Sequence, residues 1–185
     1  QIDSAAVIFV DIVGFTDISS RLPSEDVVGL LDNVFGSCDR ICAKHNVTKI
    51  KTIGDSYMAA ALVVEGDVVR SAALAALEIL DAVQQIHLPA DAQDPGSPLT
   101  LSVRIGIHCG PVTAGVLGKE RLQYDVWGDT VNVASRMEGT SEPGKIHVSS
   151  EVARTLAEFD HPVPSSQFPV PSSQFPVTFL VTPRG

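Results

Sequence analysis

"VTKIKTIGDSYMAAALVV", residues 47–64, is the stretch whose reading decides the fold. Val47 to Ile53 and Tyr57 to Val64 read as two strands, and the Gly54-Asp55 step between them supplies the turn, so the segment predicts a β-hairpin. The same stretch sets a chemical question. At ~3.3 Å per residue Lys51 and Asp55 lie about 13 Å apart, too far for a salt bridge. The two side chains therefore act on one ligand, on two, or on none.

Upstream, Ala6-Val-Ile-Phe-Val-Asp11 is a short apolar run ending in a carboxylate, the pattern of a buried strand. Ser24, Glu25 and Asp26 give helix-start signals, and Val27, Leu30, Leu31, Val34 and Phe35 recur at helical spacing, which predicts a helix over 24–46. Downstream, the alanine- and leucine-rich segment from Val68 to His87 predicts a second helix. A polar, proline-rich loop follows over 88–98. Leu99 to His108 reads as a fourth strand, and after Gly110-Pro111 another apolar segment runs to Gly118. The order is β-α-β-β-α-β, the ferredoxin-like arrangement of the α+β class. Appended elements are expected as a strand near 123–126, helices over 129–138 and near 150–157, and strands at 145–148 and 178–182. This fold hosts many functions and assigns none.

The chain reads as one domain over 1–185 with its core within 5–157. Pro162-Val-Pro-Ser-Ser-Gln-Phe168 is repeated at once as Pro169 to Phe175, and so short a repeat makes 161–176 an extended loop rather than a solenoid. A hydrophobic fraction of 44% with 19% charged residues is globular composition. The net charge of −9 excludes non-specific attraction to nucleic acid or an anionic membrane. Cys38, Cys42 and Cys109 make an odd count without metal-ligand spacing, which fits a reducing, cytoplasmic compartment. No apolar run reaches the ~18 residues of a membrane span. The chain begins at Gln1, as expected of an excised domain whose regulatory or membrane segments lie outside it.

Two constellations could carry chemistry. Asp11 ends a buried strand that a β-α-β-β topology sets next to the hairpin, so Asp11 and Asp55 can reach one sheet edge. Converging carboxylates with few other ligands suit Mg²⁺ or Mn²⁺, which keep waters or substrate phosphates; taken singly, each aspartate is a cap or turn residue. Gly14, Phe15 and Thr16 form a turn entering a helical region, whose N–H groups could face phosphates. The second constellation runs from Tyr124 to Met137. Asn132 and Arg136 share one helix face, and Asp125 precedes that helix in an extended segment. The plain alternative is an ordinary helix with a surface arginine. His108 reads as a structural residue within its strand.

The runs "FVDIVGFT", "KIKTIGDSYM", "RIGIHCGPVTAGVLG" and "YDVWGDTVNVASRM", in that order and spacing, closely resemble the catalytic domain of class III adenylyl and guanylyl cyclases. The resemblance spans about Ala5 to Leu156. It implies head-to-tail pairing of two catalytic domains, each site being built from both. One chain would bring two metal ions, Mg²⁺ or Mn²⁺, to Asp11, Asp55 and the carbonyl of Ile12. The other would recognise the base through Lys51 and Asp125, orient the ribose through Asn132, and stabilise the transition state through Arg136. A homodimer would then hold two complete sites.

Lysine can only donate hydrogen bonds and ionised aspartate can only accept them, so Lys51 with Asp125 complements adenine, whose N1 accepts and N6 donates. Guanylyl cyclases usually carry glutamate and cysteine at these places, which makes ATP the expected substrate and adenylyl cyclase the expected activity. The competing reading is a catalytically silent dimerisation module; such modules usually lose a metal aspartate or the arginine. The Gly-Gly-Asp/Glu-Glu-Phe signature of dinucleotide-forming cyclases is absent. One departure stands out. The family's triphosphate-binding lysine falls where this chain has its Pro/Ser repeat, and no lysine follows Lys145, which leaves Lys119 or Arg121 to supply the charge.

Overall fold

The computed structural model describes residues 1–62, 67–88, 101–118, 120, 122–157 and 179–182. In chain order the elements are β1 (Ile2–Ile12), α1 (Phe15–Arg21), α2 (Ser24–Lys44), β2 (Thr48–Ile53), β3 (Ser56–Ala61), α3 (Val68–Gln84), β4 (Val103–Leu117), β5 (Gln123–Trp127), α4 (Asp129–Gly139), β6 (Ile146–Ser149), α5 (Ser150–Ala157) and β7 (Phe179–Thr182). The sheet runs β2-β3-β1-β4-β6-β7, with β5 paired to the far end of β4. Its first four strands have the ferredoxin-like order, antiparallel throughout, while β6 and β7 add on in parallel.

The hairpin forms as the sequence predicts. Ile53 pairs with Ser56 across a two-residue turn, and Gly54 supplies the positive φ of 61° that the turn needs. The strand β1 is buried on both faces, which is why it reads as an unbroken apolar run rather than an alternating one. Ala6, Ile8, Val10 and Ile12 pack into a large core with α2 and α3, whereas Ala5, Val7 and Phe9 pack into a smaller one with Met58, Val112, Val126 and Ala134. On α3, Ala72, Ala73, Ala75 and Ala76 are fully buried, and Asp67 caps the helix by accepting from the amides of Val69 and Arg70.

Several boundaries differ from expectation. A short helix, α1, precedes α2. The segments on either side of Gly110-Pro111 form one 15-residue strand, because its first half pairs with β1 and its second with β5. The second helix ends at Gln84 rather than His87. The repeat at 161–176, most of the 88–98 loop, and Val63-Val64 lie outside the described residues.

A β-bulge in β2 has the largest consequence for chemistry. Lys49 pairs with Ala59 but Lys51 pairs with Met58, so Ile50 is the extra residue. Without it Lys49 and Lys51 would point to one face. With it, Lys49 meets Asp39 of α2 on one side of the sheet at 2.9 Å. Lys51 emerges on the other side, the side of α4 and β5.

Candidate active site

All the candidate side chains of the sheet lie on the face that carries α4. At its edge, Asp11 pairs with Ser56 across β1 and β3, which brings Asp55 at the hairpin tip next to Asp11. The Asp11 carboxylate accepts a hydrogen bond from Ser56 Oγ at 2.7 Å and an ion pair from Arg104 Nη2 at 3.0 Å. Arg104 is the register partner of Asp11 on β4, and its Nε donates to Glu138 Oε1 of α4 at 2.6 Å. Burial pushes the Glu138 carboxyl above its ordinary range, the charges of Asp11 and Asp55 push it further, and Arg104 opposes them.

Asp11 and Glu138 thus share one guanidinium, and the charge of Asp55 acts on the same edge. That surplus of hard oxygen donors on one edge fits divalent cations. Among the described residues no group of three or more His, Cys, Asp or Glu side chains is arranged to enclose a metal. Two aspartates would hold such ions only partly, leaving positions for water and phosphate oxygens. Gly14 is the N-cap of α1 with a φ of 68°, and Phe15 and Thr16 open its first turn directly after the β1 edge. The Ile12 side chain is a buried hydrocarbon with no donor atom, so its backbone carbonyl is the one group it could offer a cation.

Lys51 and Asp125 meet across 74 residues of sequence. Lys51 Nζ donates to Asp125 Oδ2 at 2.6 Å, while Asp125 Oδ1 accepts from the backbone N–H of Val126 at 2.8 Å. Asp125 is 9% exposed, so the backbone bond and the ion pair together hold its carboxylate in one orientation. Lys51 keeps two further donors and Asp125 further lone pairs. The pair is therefore a salt bridge that also forms a donor–acceptor fork, with donors and lone pairs left over.

The helix α4 carries Asn132 and Arg136 on an exposed face, and among the described residues neither side chain has a hydrogen-bond or ionic partner. The body of the helix is closely seated. A Cβ on Gly106 of β4 would lie 2.0 Å from the backbone nitrogen of Glu138, so only glycine permits this approach. At the other end Thr130 Oγ1 donates to the carbonyl of Pro111 at 2.6 Å.

The structure thus brings together Asp11 with Asp55, and Lys51 with Asp125, while Asn132 and Arg136 point outward. Sequence reading missed Arg104 and Glu138. The available signal was an arginine inside the apolar run of β4, but its meaning depends on register with Asp11. Lys119 and Arg121 lie outside the described residues. His108 is buried and bonds through Nδ1 to Ser149 Oγ at 2.7 Å, a core contact. Burial raises the thiols of Cys38 and Cys42 to about 12 and about 11, leaving them as packing residues without nucleophilic character.

The fold and this edge define a ferredoxin-like domain with an acidic rim beside a lysine–aspartate pair. The chain belongs to the adenylate and guanylate cyclase catalytic domain family, whose pattern it matches over residues 1–181. It is 45% identical over 159 residues to the germination-specific adenylate cyclase of Dictyostelium discoideum, covering 81% of this chain and 17% of that protein. It is 42% identical over 159 residues to retinal guanylyl cyclase 2 of Bos taurus, covering 84% of this chain and 14% of that one. Among solved structures, the guanylate cyclase domain of RhGC from Catenaria anguillulae in complex with GTP superposes with a TM-score of 0.76 at 36% identity, covering 85% of this chain and 84% of that one. The chain therefore spans less than a fifth of these two curated relatives, and cyclases of both purines are similar to it.

Proposed function

We propose that this domain is an adenylyl cyclase that converts ATP to 3′,5′-cyclic AMP and pyrophosphate. The observation that carries the choice of purine is the Lys51–Asp125 fork at 2.6 Å. Lys51 donates to adenine N1 while Asp125 accepts from N6; guanine, whose N1 donates and O6 accepts, would leave both groups facing like partners. A buried site built for hydrogen bonds discriminates strongly against a mismatched base.

Asp11, Asp55 and the carbonyl of Ile12 would hold two ions, Mg²⁺ or Mn²⁺. Bound there, they would activate the ribose 3′-oxygen and neutralise the triphosphate. In the reaction the 3′-hydroxyl gives its proton to solvent water as its oxygen forms a bond to the α-phosphorus, the bond from that phosphorus to the bridging oxygen breaks, and pyrophosphate departs with its electron pair. Gly14, Phe15 and Thr16 turn backbone amides toward the phosphates. Asn132 orients the ribose for attack and Arg136 stabilises charge that grows on the α-phosphoryl oxygens. Arg104, already against the metal carboxylate, supplies a positive charge near a metal-bound triphosphate, where the family's usual lysine is missing.

The sites are composite in a head-to-tail homodimer. Asn132 and Arg136 face outward without partners among the described residues, and the β4–β5 arm exposes Val116, Leu117, Leu122 and Tyr124. Both features fit a second copy docking on this face. A silent dimerisation module would have no use for retaining Asp11, Asp55 and Arg136 together.

The test is to incubate the purified domain at high concentration with Mn²⁺ and either ATP or GTP and to measure both cyclic products. Cyclic AMP in large excess over cyclic GMP is expected. Equal turnover of GTP would overturn the base-reading assignment, and no cyclic product from either nucleotide would overturn the activity.

A further inference from the structure

Arg136 occupies a poor place for a side chain that must be held still. It lies in the last turn of an 11-residue helix that ends at Gly139. Terminal turns lack intrahelical partners for their last carbonyls and fray, and glycine is among the weakest helix formers. Here those carbonyls are bound from outside the helix. Thr140 Oγ1 donates to the carbonyl of Arg136 at 2.8 Å, and the backbone N–H of Thr140 reaches the same oxygen at 3.1 Å. His147 of β6 lies 2.8 Å from Thr140 Oγ1 and 3.0 Å from the carbonyl of Met137, both through Nδ1.

The direction of these bonds follows from the partners. A carbonyl only accepts, so the bond to Met137 requires the proton on Nδ1. The same N–H then donates to Thr140 Oγ1, whose own proton goes to Arg136. Donor order runs one way, from imidazole to hydroxyl to the peptide of Arg136. His147 is itself 5% exposed and is the register partner of Gly106, the strand residue on which the end of α4 rests. The anchor is thus a buried sheet residue, and the held object is the exposed end of a helix.

We infer that His147, acting through Thr140, is a positioning residue that locks the last turn of α4 and so fixes Arg136 for the partner's site. This rests on the composite-site reading above, and the test is arranged to separate the two. Loss of the lock should lower kcat, because Arg136 acts on charge that develops only in the transition state, and should leave KM for ATP nearly unchanged. A misplacement near 1 Å can cost about 10²-fold, so His147→Ala should reduce kcat by roughly 10- to 100-fold. Thr140→Val, which keeps shape and removes the hydroxyl at an exposed position, should fall in the same direction. His147→Asn and Thr140→Ser, which keep a donor and a hydroxyl, should recover most of the activity.

The deciding experiment uses heterodimers purified through two different tags. One chain carries Asp55→Ala and the other Arg136→Ala, so a single working site combines Arg136 of the first chain with the aspartates of the second. His147→Ala added to the Asp55→Ala chain should lower kcat by the stated factor. The same change added to the Arg136→Ala chain should leave it within about twofold, while both heterodimers, each with one altered histidine, should melt alike. Equal losses in the two placements, or no loss in either, would overturn the positioning role. If the starting pair shows no activity, the composite-site reading fails, and this inference falls with it.

Discussion

The acidic edge and the outer face of α4 differ in how their charges are satisfied. At the edge, Asp11, Arg104 and Glu138 are partly buried and paired with one another at 2.6 and 3.0 Å. On α4, Asn132 and Arg136 are exposed and have no partners among the described residues. The first arrangement is nearly self-contained, and a cation entering it must compete with Arg104 for Asp11. The second has donors without a partner among the described residues.

That contrast can be broken first at α4. Arg136→Ala should reduce cyclic AMP formation by roughly 10²–10³-fold, the cost of removing one transition-state donor. It should leave the melting temperature nearly unchanged, because it is a surface position whose side chain has no hydrogen bond or ion pair among the described residues. A large loss of stability would show that the arginine is structural.

At the base-reading fork, exchanging Lys51→Glu together with Asp125→Cys should shift the ratio of kcat/KM toward GTP by more than about tenfold, with the melting temperature less affected than by either single change. Unchanged ATP preference would remove the fork from the specificity assignment.

At the acidic edge the signs reverse. Arg104→Ala leaves Glu138 buried without its partner and should cost about 1–3 kcal/mol in the absence of metal. Added Mn²⁺ should then raise the melting temperature of the variant more than that of the wild type, since Asp11 would no longer be held by the competing guanidinium. An equal rise in both would mean that Arg104 and the metal do not share Asp11.

The smallest effect belongs to a three-residue cluster remote from both regions. Lys44, and then His45, hold the Glu78 carboxyl below its ordinary range. A depressed carboxylate stabilises the fold above its unfolded pKa of about 4.3 and loses that contribution as pH falls through the lower folded value. Glu78→Gln should therefore lower the melting temperature slightly at pH 7, and the difference should vanish in strong acid. Because Glu78 is 36% exposed, solvent keeps the effect small.

Much of this was legible in the sequence, for identifiable reasons. The hairpin announced itself because Gly54-Asp55 sits between two apolar runs, and β1 because a strand buried on both faces reads as one block. Asp11 and Asp55 could be placed together from topology alone. What escaped depends on register. The bulge at Ile50 sends Lys49 and Lys51 to opposite faces, and no local pattern marks it. Arg104 and Glu138 become meaningful only when β4 is aligned residue by residue with β1 and α4 is set down on Gly106. The end of β4 was misread because Gly110-Pro111 looks like a break, yet the strand passes through it and changes partner there.

The central claim is that neither chain holds a complete site by itself. It is tested most directly by mixing Asp55→Ala chains with Arg136→Ala chains, each inactive alone, and assaying cyclic AMP from ATP with Mn²⁺. Random pairing gives half heterodimers, each with one intact site, so activity should return to about a quarter of the wild-type value. No recovery, in a mixture where heterodimers are shown to have formed, would contradict composite sites.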